Sequence, residues 1–217
     1  MKKAFSKSLL ASGLTLSALL ALVFSVGPVW AQGFQYTYIG GGFASYSPNG
    51  GSSGNGLDLY GSYNFNPHFN FLAGYEYLGY GGGVSTNNLD LGVGFHTPLP
   101  TRQPLDFIAE ALFLHDEFDV SVCGPFGCAS GSNSTSGFEI AGGVRWHPPV
   151  RRLEIDGLLG VNTFGSCTDC PFSSAATVTG EAQYYFLKHL SGDAAITVGT
   201  NNYGNQFVLG VTYYFFR

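Results

Sequence analysis

From residue 32 to the end, apolar side chains recur at every second position. The last stretch shows it best. Phe207, Leu209, Val211, Tyr213 and Phe215 fall on one face, and Val208, Gly210, Thr212 and Tyr214 on the other. A period of two is that of a β-strand, whose successive side chains point to opposite faces. The same alternation runs through Leu57, Leu59, Tyr63 and Phe65 against Asp58, Tyr60, Ser62 and Asn64. It returns in Phe69 to Tyr77, Leu89 to His96, Phe107 to Leu114, Phe138 to Trp146, Leu153 to Val161, Val178 to Phe186 and Asp193 to Val198. A first strand opens at Tyr36 and ends near Tyr46; its Gly40-Gly41-Gly42 run is expected to mark a bulge or a bend at a crowded wall position.

These segments make ten strands of ~9–12 residues, with eight as the rival count. Their connections alternate in kind. One set is short and carries Pro or a basic residue, around Pro67, Pro104, Pro148-Pro149 and Lys188. The other is mostly longer and rich in Gly, Ser and Asn: 47–55, 81–86, the long polar segment from His115 to Ser136, 164–174 and 201–205. The expected fold is all-β: a closed antiparallel up-and-down transmembrane β-barrel, with both ends of the chain on the short-turn side. A soluble secreted β-sandwich is the alternative arrangement of the same strands.

Residues 1–31 break the pattern. Lys2, Lys3 and Lys7 precede an apolar run from Leu9 to Val26, and Val29-Trp30-Ala31 has the small-x-Ala form of a cleavage site. This is the pattern of a secretory signal peptide, with an uncleaved anchor helix as the other reading. The barrel domain then occupies 32–217. No later stretch offers the ~18 apolar residues of a helical span, so a membrane-spanning mature chain must cross with strands.

Composition and charge sharpen this. Only 11% of residues are charged while 45% are hydrophobic, against roughly 25% charged in an ordinary soluble domain. Of nine Lys+Arg, three lie within 1–31, and none of the 14 Asp+Glu does, so removing the leader leaves six against 14, or −8. No basic patch is left for nucleic acid. The remaining cations gather at the short turns and the end (Arg102, Arg151, Arg152, Lys188, Arg217), except Arg145, which lies within a strand. Asp58, Glu76, Asp90, Glu110, Glu139, Glu154, Asp156, Glu181 and Asp193 all fall on the non-lipid face, where they avoid the cost of a charge against lipid.

The Gly/aromatic motifs Tyr36-x-Tyr38-x-x-Gly41-Gly42-Phe43, Gly56-x-x-Leu59-x-Gly61-Ser62, Pro67-x-Phe69, Gly74-Tyr75 and Leu91-Gly92-x-Gly94 resemble the small porin-like outer-membrane β-barrel proteins of Gram-negative bacteria, over essentially the whole mature chain. The resemblance implies outer-membrane lipid as the surroundings and the barrel assembly machinery as a partner engaged through the C-terminal strand. It implies no catalytic set and no cofactor. The long cysteine-bearing loops depart from the family's shorter ones.

Candidate chemistry is sparse. Cys123 and Cys128, and Cys167 and Cys170, sit in two successive outer connections. In an exported protein they read first as disulfides; local pairing is the simplest of three connectivities, and a four-thiolate zinc site is the alternative. Nine inward carboxylates face Arg145, His96 and His147, too few cations to pair them all. That predicts either a packed, partly hydrated lumen tied by a hydrogen-bond network or a narrow cation-selecting path. His96 and His147 are expected to cap lumen rows at the periplasmic end. His115-Asp116, with Glu117 and Asp119, would be the rim group of an outer-membrane hydrolase; a polar strand end is the ordinary reading. Asn133-Ser134-Thr135 flags a surface loop. The function expected is a non-enzymatic integral envelope barrel with a structural, surface-interaction or restricted, cation-preferring porin role, its surface ligand unknown.

Overall fold

A computed structural model describes residues 34–124, 127–150, 152–165, 174–201 and 203–215. Residues 1–33, which include the expected leader, and Arg151, Cys167, Cys170 and Arg217 lie outside the described residues. Ten strands follow in order: β1 (Tyr38–Ser47), β2 (Gly54–Asn66), β3 (Phe69–Gly81), β4 (Val84–Pro98), β5 (Leu105–Gly124), β6 (Gly127–Trp146), β7 (Leu153–Phe164), β8 (Ser174–Leu187), β9 (Leu190–Gly199) and β10 (Gly204–Tyr214). Each pairs antiparallel with its neighbours in sequence, and β1 pairs with β10, so the sheet closes into a barrel with no free edge around its wall. Ten is therefore the count rather than eight, and the two separate sheets of a sandwich are absent. Closure satisfies the wall's backbone groups internally, as a lipid-facing sheet requires.

Alternation decides what faces out. Leu57, Phe71, Leu91, Phe138, Ile140, Leu159, Ile196 and Leu209 are all exposed on the outer surface. Ile140 at 69% and Leu159 at 67% are bare aliphatic side chains. A band of this extent far exceeds the few hundred Å² of apolar patch a soluble monomer exposes, and it matches a hydrocarbon surround. Aromatic contacts cluster at its lower margin: Phe65 stacks on Phe71 at 4.4 Å, Phe69 meets Phe95 at 5.2 Å, and Tyr213 meets Phe215 at 5.4 Å.

Three expectations change. The segment from His115 to Ser136 is not a loop. β5 and β6 continue as a paired hairpin above the apolar band, with His115 opposite Ser136 and Cys123 opposite Cys128. Beyond the lipid neither face must be apolar, so the hydrophobic alternation fades while the backbone ladder persists. Gly40 to Gly42 forms no bulge, since the register runs through it unbroken on both sides. It is crowded, though: the Tyr60 ring lies where a Gly40 side chain would stand, within 2.3 Å of that position. The β3–β4 connection is a tight turn rather than a loop. Gly81, Gly82 and Gly83 all have positive φ (77°, 62° and 80°), a run of left-handed residues that side chains other than glycine resist.

Candidate functional site: the lumen

The inward rows build two different compartments. At the short-turn end the lumen is packed. Arg145 on β6 is 6% exposed and grips Asp156 on β7, with Nε donating at 3.0 and 2.9 Å and a terminal nitrogen at 2.5 Å. The two residues are direct cross-strand neighbours, so the sheet itself brings them together. Tyr36, just before β1, crosses the floor of the barrel to donate to Asp106 of β5 at 2.8 Å. Its ring stacks on His96 at 3.5 Å and lies 4.9 Å from the Arg145 guanidinium. Tyr185 donates to Glu154 at 2.8 Å, Tyr214 to Gln183 at 2.5 Å, and Gln183 to Glu181 at 2.5 Å. Tyr214 has no exposed surface, with Tyr38 and Tyr185 against it at 5.6 and 5.4 Å. Side chains from opposite walls thus meet across the floor.

A middle rung sits above. Tyr60 of β2 reaches Asp193 of β9 and lies 2.9 Å from the Thr212 hydroxyl, which donates to Asp193 at 2.9 Å. Higher still, Gln206 of β10 reaches across to Glu76 of β3, donating at 2.6 Å, and Asn88 donates to the other Glu76 oxygen at 3.0 Å.

Around and above these contacts lies a cavity of about 1060 Å³. Asp58, Glu76, Asp90, Asp116 and Glu139 line it, together with Asn162 and the rings of Tyr46, Tyr60 and Tyr203. None of its lining residues is Lys, Arg or His. Asp116 stands above the apolar band, between His115, which faces outward, and Glu117, which also borders the cavity. Burial pushes its carboxyl up to about 6, against an opposing pull from His115. Asp90 has room because Gly74 faces it without a side chain.

The sequence-predicted residues therefore divide. Glu154, Asp156, Glu181 and Arg145 join the packed end, with Asp193 in the middle rung; Asp58, Glu76, Asp90, Asp116 and Glu139 share the cavity. Glu110 lies on the inward face of β5, cross-strand from Ala141. His96 is buried at the short-turn end with Nε2 3.2 Å from Asn64 Oδ1. His147 lies 4.0 Å from Glu154. Asp106 is a buried acid that the alternation would have found had the strand been begun one residue earlier, at Asp106 rather than Phe107. Tyr36 carried no signal of its crossing, because the residue it meets is 70 positions away.

His115 and Asp116 do not form a catalytic pair. As consecutive strand residues they point to opposite faces: Asp116 lines the cavity, whereas His115 is held outside by the Ser136 hydroxyl, 2.9 Å from its Nδ1. Asn133 to Thr135 are in strand, not loop. Cys123 and Cys128 are joined by a disulfide, the local pairing. Among the described residues no group of three or more His, Cys, Asp or Glu is placed to hold a metal ion.

No protein-family model matches the chain, and no curated protein matches it. Solved structures do. The chain is similar to Neisserial surface protein A at 14% identity, with 83% of this chain and 96% of that one covered and a TM-score of 0.43. It is similar to Ail, the attachment invasion locus protein of Yersinia pestis, at 14% identity, 83% and 99% coverage and a TM-score of 0.42. The KdgM porin gives 11% identity, 82% and 99% coverage and a TM-score of 0.45.

Proposed function

We propose that this chain is an exported, integral outer-membrane β-barrel without enzymatic activity, with residues 1–31 as its leader and 32–217 as the barrel. Its lumen is closed at the short-turn end and open at the other as an acidic cup. The role is that of a surface-interaction barrel rather than a general diffusion pore. Outer-membrane lipid surrounds it, and the C-terminal strand β10 is the segment that engages the barrel assembly machinery.

One observation carries this reading. Tyr36, Tyr214, Arg145 and Asp156 fill the floor with buried side chains, Arg145 bonded to Asp156, Tyr36 to Asp106 and Tyr214 to Gln183, while the large cavity lies on the side of the longer connections. A barrel of about this size has an interior little wider than its own side chains, so such a floor blocks it. The acid-rich lining supports a second reading, a restricted cation path, because rings of Asp and Glu favour cations.

Planar-bilayer conductance of the refolded mature protein separates the two. Folding is first confirmed by the shift in gel mobility on boiling. The expected result is a heat-modifiable barrel with no discrete steps. Cation-selective steps that weaken in E110Q/E139Q would overturn the closed-floor reading and establish the pore.

A further inference from the structure

We propose that the outer cup is a binding site for a linear oligoamine, a flexible chain bearing several separated ammonium groups. This rests on the reading above that the barrel is inserted with its cup facing outward.

The lining carries six acids and no side chain of opposite charge. Asp58, Asp90 and Asp116 receive no hydrogen bond or ion pair from any described residue, and no cationic side chain lines the cup. Asp58 lies directly across the strand pair from Glu76, and Glu76 in turn is followed around the wall by Asn88 and Asp116. Like charges directly opposed on a sheet are destabilising, so the protein alone gains nothing from this row. A bound cation reverses the sign of that interaction.

A second, independent feature points the same way. Asn162 of β7 is 3% exposed, lines the same cavity, and its Oδ1 has no partner. A buried acceptor left unmade costs about 1–3 kcal/mol. An N–H or O–H donor from a ligand satisfies it; a fully ionised anion does not.

The spread of the acids selects the kind of cation. They stand on β2, β3, β4, β5 and β6, and no three of them converge to hold a metal ion. Neighbours along such a row are ~5 Å apart across a strand pair and ~7–8 Å on the diagonal. Ammonium groups joined by short methylene linkers match steps of that size. The rings of Tyr46, Tyr60 and Tyr203 line the same space; they present π-faces to ammonium groups and apolar edges to the methylenes. At about 1060 Å³ the cup is at the upper end of the roughly 300–1,000 Å³ of small-ligand sites.

The test is isothermal titration calorimetry of the mature barrel in detergent with spermine, alongside calcium chloride and butylamine. Saturable spermine binding is expected, at least tenfold tighter than calcium or butylamine. D58N/D90N should weaken it tenfold or more. D116N, whose side chain lies above the lipid band, should weaken it severalfold and serves if the double variant does not fold. D119N, on the outer face, should leave it unchanged. No saturable binding, calcium binding as tightly as spermine, or equal affinity in D116N and D119N would overturn the proposal. Conductance separates this from the closed-floor reading. A silent barrel that ignores spermine sinks the cup alone. A conducting barrel that spermine blocks sinks the floor and keeps the cup.

Discussion

Replacing Arg145 by Met tests whether the floor of the lumen is dry. Arg145 and Asp156 are both buried and joined by three N–H to O contacts of 3.0, 2.9 and 2.5 Å. Removing one partner of a buried pair costs about 3–5 kcal/mol, because the other is left as an uncompensated charge. Here the lower end applies, since one terminal nitrogen of Arg145 already lacks a partner, and an unmade buried donor offsets about 1–3 kcal/mol of what the pair contributes. The contact with the Tyr36 ring adds about 0.5–1 kcal/mol to the loss. R145M should therefore lower the unfolding free energy by about 3 kcal/mol, and R145M/D156N should recover part of it by removing the stranded charge. The assay is urea unfolding in lipid vesicles, followed by tryptophan fluorescence. The chain has two tryptophans, Trp30 and Trp146, so protein refolded from residues 32–217 reports through Trp146 alone, the neighbour of Arg145 on β6. A loss below about 1 kcal/mol would mean that water already solvates Asp156, and the closed floor would fall with it.

Two further outcomes follow from the same geometry. I140K places an ammonium on the exposed lipid face of β6, where Ile140 is bare, and should cost about 2–4 kcal/mol in vesicles; urea titration checks it, and a cost near zero would remove Ile140 from the bilayer. The second concerns pH. Burial raises the Asp116 carboxyl from 3.8 to about 6, with His115 opposing and Glu76, Asp90, Tyr46 and Tyr80 as its other titratable neighbours. Between those values the folded form holds a proton that the unfolded chain has released. Its contribution to stability is thus greatest at low pH, falls as pH rises from about 4 to about 6, and is flat above. D116N should be more stable than the wild type at pH 7, with the gap narrowing as pH falls through 6; a gap independent of pH would refute the assignment.

Alternation along the chain determined the wall of this protein. Leu57, Leu59 and Tyr63 face lipid and Asp58, Tyr60 and Ser62 face inward because successive strand residues must diverge, a rule each segment obeys without reference to any other. The strand count and the charge sorting followed from it, as did the positions of Arg145 and His96 on the inner face. The floor and the cup did not. Whether an inward acid meets Arg145, as Asp156 does, or stands bare, as Asp58 does, depends on register accumulated around ten strand pairings and on which walls face each other. Tyr36 with Asp106, Tyr60 with Asp193 and Gln206 with Glu76 are partners only because closure brings opposite walls together. His115 and Asp116 diverge by the alternation itself, but only the fold shows that the strand continues through them, because the hydrophobic pattern that marks a strand has faded there.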